Sequence, residues 1–207
     1  MGRFLDYRVF LNVVIIGTFL FSVFVIFREF RFKQLEAKSV EVDTENIIYM
    51  KLKDGIVVIE MLPDVAPNHV ARMKELVRSG FYNGNKFFRV IDGFVAQTGD
   101  PTGTGRGGSG KRLKAEFSKI SHKRGIVSMA RANDVDSADS QFFIVLADSE
   151  FLDGKYTVWG RVISGMEFVD EIKKSKTGSG GIVENPDLVI SMALKRDVKK
   201  ATQKNNI

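Results

Sequence analysis

Two polar side chains, Arg89 and Gln97, interrupt an otherwise apolar stretch near the middle of the chain. They belong to two strand-like runs, residues 87–91 and 94–98, which meet at the turn dipeptide Asp92-Gly93. A guanidinium beside several phenylalanines is costly unless it has a partner or a task. The pattern therefore has two interpretations: the solvent face of a half-buried hairpin, or a cationic donor fixed in an apolar site.

Motifs further along the chain favour the second interpretation. After FRVIDGFVAQTGD at residues 88–100, residues 128–132 read SMARA, residues 140–144 SQFFI and residues 150–156 EFLDGKY. In this order and at this spacing they resemble the cyclophilin family of peptidyl-prolyl cis/trans isomerases. The resemblance implies an enzyme that accelerates Xaa-Pro amide rotation in protein folding. It also implies a mainly β fold, a closed eight-stranded antiparallel barrel with an α-helix capping each open end.

Rotation about an Xaa-Pro amide breaks no covalent bond. It needs no nucleophile, general base, metal or cofactor, and the sequence suggests no assembled set of such groups. The barrier of about 18–20 kcal/mol comes from amide resonance, and an enzyme lowers it by binding the twisted amide best. In that state the proline nitrogen regains its lone pair. We expect Arg89, which stays charged, to donate a hydrogen bond to it, and Gln97 and Gln141 to orient Arg89 or hold the substrate carbonyl.

The resemblance assigns further residues to the site. Phe94 joins Arg89 and Gln97 in the predicted catalytic set and shares an apolar proline slot with three of the substrate-binding residues. The edge segment Ala130–Ala132 would pair with substrate backbone. The predicted substrate-binding set is Val95, Gly105, Ala130, Arg131, Ala132, Gln141, Phe143, Phe151, Leu152 and Tyr156, and its slot members are Val95, Phe143 and Leu152.

Four positions depart from residues common in the family. Phe151 stands where many cyclophilins have tryptophan, Tyr156 where many have histidine, Val95 where methionine is common and Arg131 where asparagine is common. Losing the indole N–H should weaken cyclosporin binding more than catalysis, because the central arginine is kept. We therefore predict an active isomerase with reduced cyclosporin sensitivity.

Composition excludes several other chemistries. The 207 residues include no cysteine and two histidines, His69 and His122, which excludes thiol nucleophiles, disulfides and a histidine-rich metal site. We expect His69 at the surface, in the first turn of a helix. The net charge of +6 has no nucleic-acid-binding motif beside it, so no nucleic-acid partner is expected. The glycine-dense run at residues 99–110 misses the phosphate-binding signature, because Arg112 occupies its Ser/Thr position.

The N-terminal part of the chain is predicted to be a membrane anchor. Residues 1–8 form a short tail, residues 9–27 carry no charge and residues 28–46 form a charged spacer. The uncharged run matches the roughly 20 residues of a membrane-spanning helix. A cleaved signal peptide is the alternative, but the run is longer than such a peptide needs and no Ala-x-Ala cleavage site follows it. Basic residues after the span favour a cytoplasmic domain, whereas family habit favours export. We expect a single-pass signal-anchor protein with its domain on the non-cytosolic side, in the periplasm or secretory lumen.

The rest of the pattern predicts one folded domain over residues 47–194 and a polar tail over residues 195–207. A hairpin forms around Asp54-Gly55, a helix with an apolar stripe begins at Pro67, and a second helix carries Met166, Val169 and Ile172. Further strand-like runs lie at residues 125–130, 141–147, 156–162 and 188–194. The expected partners are proline-containing polypeptides. The alternative function is a non-catalytic, membrane-tethered module that holds a proline-containing partner in the same groove.

Overall fold

The structure, a computed structural model, describes residues 24–29 and 44–198. The strands are β1 Ile47–Lys51, β2 Ile56–Met61, β3 Arg89–Ile91, β4 Val95–Thr98, β5 Ile126–Met129, β6 Phe142–Val145, β7 Val158–Ser164 and β8 Ser191–Leu194. The helices are α1 Pro67–Arg78 and α2 Met166–Asp170, and 3₁₀ turns occupy Thr44–Asn46 and Glu150–Leu152. Residues 24–29 and 195–198 are also helical.

The strands form one eight-stranded antiparallel sheet in the order β3-β4-β6-β5-β7-β2-β1-β8. The predicted mainly β, eight-stranded antiparallel architecture is therefore confirmed. Both predicted hairpins are present, and Gly93 between β3 and β4 has φ 65°, a conformation that glycine adopts at no steric cost. Single bridges join Lys86 to Leu188 and Arg89 to Ile182, beside the two strands that end the sheet.

Alternation along β6 divides its side chains between two apolar clusters. Phe142 and Ile144 are fully buried in the main core, where the Phe142 ring meets the Trp159 ring edge-on at 5.5 Å. Phe143 and Val145 project to the other face of the sheet, where they form a second, smaller cluster with Val95 and Leu152. We call this second group the slot cluster. One strand thus stabilises the fold with one face and supplies the site with the other.

Helix α1 buries the predicted stripe, which includes Val70, Met73 and Leu76. No side chain of its own caps the first turn. Instead, the Glu116 carboxylate accepts the backbone N–H groups of Asn68 and His69, each at 3.0 Å, which satisfies donors that a helix start leaves open.

The prediction that His69 lies at the surface is wrong. Its side chain is completely buried, and its Nδ1 lies 2.5 Å from Glu116 Oε2. Burial lowers the pKa of the imidazole below its ordinary value, although Glu116 acts in the opposite direction. The sequence pattern gave the helix but not its partner, because Glu116 comes from a distant loop.

Helix α2 is shorter than the pattern predicted. It ends at Asp170, and Ile172, which the periodicity placed on the helix, lies beyond its end yet stays buried. Gly165 precedes the helix with φ 86°, and a Cβ there would lie 2.5 Å from the Ile56 carbonyl oxygen. Close approach of strand and helix therefore requires glycine at this position.

Among residues 24–29 and 44–198, no helix is long and apolar enough to cross a membrane. Most of the predicted span at residues 9–27, the tail at residues 1–8 and most of the spacer lie outside the described residues. At the other end, Asp197 accepts a hydrogen bond from Arg78 Nε at 3.0 Å. The first four residues of the predicted C-terminal tail, 195–198, are helical. The remaining residues of the tail lie outside the described part.

Candidate active site

Strand register brings four separate parts of the sequence into one row across the sheet. Arg89 on β3 pairs with Gln97 on β4. Gln97 pairs with Phe143 on β6, which in turn pairs with Ser128 on β5. Directly opposed residues project to the same face of a sheet. A cation, an amide, an aromatic ring and a hydroxyl therefore follow one another across adjacent strands.

A directional hydrogen-bond chain begins at Arg89. Its Nη1 donates to Gln97 Oε1 at 3.3 Å, and Gln97 Nε2 donates to Gln141 Oε1 at 3.0 Å. Gln141 Nε2 then donates to the carbonyls of Gly105 and Gly107, at 3.1 and 2.8 Å. Each amide is engaged through both its oxygen and its nitrogen, so its neighbours fix its orientation. We call this series the polar chain.

The Arg89 side chain is also held by packing. Its Cζ lies 5.9 Å from the centre of the Phe94 ring. Behind it, Gly181 has φ 94°, and a Cβ there would lie 2.9 Å from Arg89 Cγ and 2.8 Å from Ile91 Cγ1. The bond to Gln97 is the one side-chain hydrogen bond of Arg89 within the described residues, so most of its five N–H donors are available to a bound molecule.

The glycine-dense loop is folded around the buried carboxylate of Asp100. Burial acts to raise the pKa of this carboxyl, but hydrogen bonds from the loop hold it at about 2. Those N–H groups serve the protein's own carboxylate, so the loop is not a phosphate cradle. It presents carbonyl oxygens to Gln141 instead. The backbone N–H donors to Asp100 are those of Thr102, Thr104, Gly105 and Gly107.

Beside the guanidinium lies a shallow pocket of about 260 Å³. Three members of the slot cluster, Val95, Phe143 and Leu152, line its apolar side, and each is almost completely buried. The Tyr156 ring meets the Phe143 ring edge-on at 5.5 Å and 85°, an arrangement that aromatic pairs favour. The pocket therefore combines polar groups, from Arg89, Gln97 and Arg131, with an apolar side, which suits a small ring attached to an amide.

The side chain of Arg131 fastens the edge segment beside this pocket. Its Nε donates to the Lys155 carbonyl at 3.0 Å and its Nη1 to the Ala132 carbonyl at 2.8 Å. Its Cζ lies 5.1 Å from the centre of the Tyr156 ring. Arg131 is one of the four positions that depart from residues common in the family, and its side chain orders both the edge segment and the Tyr156 ring.

All predicted site residues except Phe151 line one of two adjoining pockets. Phe151 is 63% exposed, and its ring lies 5.4 Å from the Phe94 ring. The smaller pocket is lined by Arg89, Phe94, Val95, Gln97, Ala130, Arg131, Phe143, Leu152 and Tyr156. The larger, of about 510 Å³, shares Gln97, Ala130 and Arg131 and adds Gly105, Ala132 and Gln141.

Comparison with known proteins decides the family. The family model for cyclophilin type peptidyl-prolyl cis-trans isomerase/CLD matches residues 47–194. The chain belongs to this family.

Relatives of this cyclophilin carry the same activity in their names. A probable peptidyl-prolyl cis-trans isomerase of Brucella suis is 50% identical over 169 residues, covering 76% of this chain and 86% of the relative. A peptidyl-prolyl cis-trans isomerase of Helicobacter pylori is 41% identical over 157 residues, covering 74% of this chain and 93% of the relative.

Solved structures agree with the fold. Cyclophilin AquaCyp293 from Hirschia baltica superposes with a TM-score of 0.66 at 30% identity, covering 74% of this chain and 75% of that one. A cyclophilin type isomerase from Cryptosporidium parvum, solved in the presence of the dipeptide Ala-Pro, gives 0.66 at 27% identity, covering 72% of this chain and 98% of that one.

Several residues that shape the cyclophilin site were missed by sequence reasoning. Asp100 carried a usable signal, because an aspartate that opens a glycine-dense loop can accept the N–H groups that follow it. Gly181 carried no local signal, since Arg89 and Ile91, which it contacts, are distant in sequence. Other missed lining residues of the larger pocket are Arg106, Gly107, Gly108, Arg112, Ser137 and Asp139.

The sequence suggested no assembled nucleophile and base, but this expectation is wrong, because the structure places a serine, a histidine and an aspartate in contact. The Oγ of Ser128 lies 2.9 Å from His122 Nε2, and His122 Nδ1 lies 2.8 Å from Asp153 Oδ1. However, Ser128 and His122 are completely buried, and a nucleophile must reach its substrate. These residues therefore do not supply a nucleophile to the pocket.

Proposed function

We propose that this cyclophilin accelerates Xaa-Pro isomerisation with Arg89 as donor to the proline nitrogen of the twisted amide. The observation that carries the proposal is the position of Arg89, a partly buried cation held by Gln97 in a pocket whose apolar side is formed by residues such as Phe143 and Leu152. The Ala-Pro dipeptide present with the Cryptosporidium relative supports proline-containing peptides as ligands of this chain too.

The chemistry follows from the amide itself. In the planar forms the nitrogen lone pair is delocalised, whereas in the twisted form it is localised and accepts a hydrogen bond. A charged donor in a poorly solvated site stabilises that form more than either planar isomer. The apolar slot holds the proline ring in all three states, while Gln97 and Gln141 keep the guanidinium aimed. Uncatalysed exchange takes roughly tens to hundreds of seconds, which leaves ample room for acceleration.

The test is the isomerisation rate of an Xaa-Pro peptide, measured by NMR exchange with the full chain and with Arg89→Ala. Fast exchange that collapses in the folded variant is the expected result. Peptide binding without acceleration by the unaltered chain would contradict the catalytic role of Arg89 and favour the binding-module alternative.

We further propose that the site binds cyclosporin weakly. The Phe151 ring lies beside Phe94 but carries no N–H donor. Phe151→Trp restores the side chain common in the family and should tighten cyclosporin binding, measured by calorimetry, with little change in isomerisation rate. Tight binding by the unaltered chain would contradict this proposal.

We also propose that residues 9–27 are a signal-anchor and that the domain assists folding, as a chaperone, on the non-cytosolic side of a membrane. The supporting observation is the uncharged run of residues followed by a charged spacer. Fusions of alkaline phosphatase and of green fluorescent protein to the C-terminus test the orientation. An active phosphatase and a dark fluorescent protein are expected, and the reverse pattern would place the domain in the cytoplasm.

Finally, we propose that the sheet closes as a barrel capped by α1 and α2. Backbone hydrogen bonds support closure: Phe87 N–H donates to the Asp187 carbonyl at 2.9 Å and Val90 N–H to the Gly181 carbonyl at 2.8 Å. The first bond joins the segments that precede β3 and β8, and the second joins β3 itself to Gly181. Slow hydrogen exchange at both amides is the expected result, and rapid exchange would argue for an open sheet.

A further inference from the structure

A buried histidine lies behind the apolar slot. The His122 side chain is completely buried, and its ring stacks on the Phe143 ring at 6.3 Å with an interplanar angle of 22°. Its Nε2 contacts Ser128 Oγ and its Nδ1 contacts Asp153 Oδ1. Ser128 is the last member of the row that begins at Arg89. The imidazole thus touches the floor of the slot and two elements around it.

The backbone of His122 adds two more attachments. Its N–H donates to Asp153 Oδ1 at 2.7 Å, and its carbonyl accepts from Ser149 N–H at 2.9 Å. Ser149 and Asp153 flank the 3₁₀ turn Glu150–Leu152. That turn carries Leu152, which lines the slot. One residue therefore bonds both ends of the turn.

The Asp153 carboxylate anchors this network. The His122 backbone N–H first, then the Ser121 hydroxyl and the His122 ring, hold the pKa of Asp153 at about 2. An ionised carboxylate only accepts hydrogen bonds, so Nδ1 is the donor to Asp153, and Nε2 bonds with the Ser128 hydroxyl. Every polar atom of the imidazole is paired, and the ring is fixed in orientation.

We propose that His122 is a positioning residue for isomerisation, which holds Phe143 and the turn Glu150–Leu152 in the relative placement that forms the proline slot. The inference rests on the proposed function, because it assigns the slot to the proline ring. His122 acts through the slot residues and does not touch the substrate.

The chain offers a matched control in its other histidine. His69 is also completely buried and also contacts a carboxylate through Nδ1, that of Glu116. It lies at the start of α1 and lines neither pocket. Replacing each histidine by asparagine removes a buried imidazole in both cases, but only one replacement disturbs the slot.

The experiment measures kcat and KM for an Xaa-Pro peptide with the full chain, His122→Asn, His122→Ala and His69→Asn, each normalised to folded protein. Misplaced slot residues should raise KM and lower kcat/KM by roughly ten- to a hundredfold in His122→Ala. The asparagine variant keeps a donor for Asp153 and should recover part of that loss. His69→Asn should keep the parental KM, since lost folded protein lowers apparent kcat but not KM.

A second, milder variant keeps the inference testable if the His122 variants do not fold. The side chain of Asp153 is about one-third exposed, and Asp153→Asn weakens the same network. It should raise KM in the same direction and shift the NMR signals of the Phe143 ring, which His69→Asn should leave in place.

Different failures have different meanings. A parental KM and unmoved Phe143 signals in His122→Ala, or in Asp153→Asn if that variant alone folds, would overturn the positioning role and leave the proposed function standing. No acceleration by the unaltered chain would overturn both.

Discussion

The polar chain and the slot cluster meet in one pocket but are built on different principles. In the polar chain, each side chain donates a hydrogen bond to the next group, from Arg89 through Gln97 and Gln141 to the glycine-dense loop. In the slot cluster, Phe143 and Leu152 are held by packing. Directional bonds fix where a charge points, whereas packing fixes the shape of a space.

This difference predicts that the polar chain and the slot cluster control different kinetic constants. A directed cation favours the twisted amide over the planar one and should govern kcat. An apolar slot favours the proline ring in every state and should govern KM. Variants on each side can break this division or sharpen it.

The largest expected effect is on the polar side. Arg89→Ala should lower kcat by roughly 10²–10³ with little change in KM, because it removes the donor that acts on the twisted amide. Peptide exchange by NMR measures both constants. Arg161→Ala is the control, since Arg161 is an exposed arginine paired with Glu60 away from the pocket. A change confined to KM in Arg89→Ala would break the comparison.

The next largest effect is expected from substitutions on β6, where the two faces of the strand should give different results. Phe143→Leu should raise KM about fivefold, because part of the slot surface is lost, a change of ~1 kcal/mol. Phe142→Leu, one residue away in the main core, should lower the free energy of unfolding by about 1–3 kcal/mol and leave KM unchanged. Kinetics and urea titration measure the two quantities. Equal KM values in both variants would show that the slot does not hold the proline ring.

A smaller effect is expected at the far end of the polar chain. Gln141→Leu removes the donor to the Gly105 and Gly107 carbonyls and the acceptor for Gln97. Losing the hydrogen bond of about 1 kcal/mol that fixes Gln97, and through it Arg89, should lower kcat roughly fivefold. Hydrogen exchange over residues 100–110 should quicken in the same variant. An unchanged kcat with a loosened loop would mean that Gln97 alone orients the guanidinium.

The smallest effect concerns His69, which belongs to neither the polar chain nor the slot cluster. Burial lowers its pKa, so the unfolded chain binds a proton at a higher pH than the native chain does. Its contribution to the free energy of unfolding is therefore complete above about pH 6.5 and is lost as the pH falls towards the lower native pKa. Urea titrations across this range should show a slope that His69→Asn flattens. A slope that persists in the variant would assign it to other groups.

Local patterns predicted the elements that carry the site. Alternating apolar residues around Asp92-Gly93 gave the hairpin with Arg89 and Gln97, and Pro67 with its apolar stripe gave α1. Motif order gave the family. Local patterns failed where a partner came from a distant segment, as for His69 with Glu116. Helix α2 was overextended because Ile172 is buried in periodic register without being helical.

The sequence by itself determined the residue types on each strand face and the turns, because these depend on neighbours within a few positions. It also determined the family, through the order and spacing of its motifs. Tertiary structure alone decided that Arg89, Gln97 and Phe143 form one row, that Gly181 lies against Arg89, and that Ser128, His122 and Asp153 support the slot. Register between distant strands sets these contacts, and register is a property of the folded sheet.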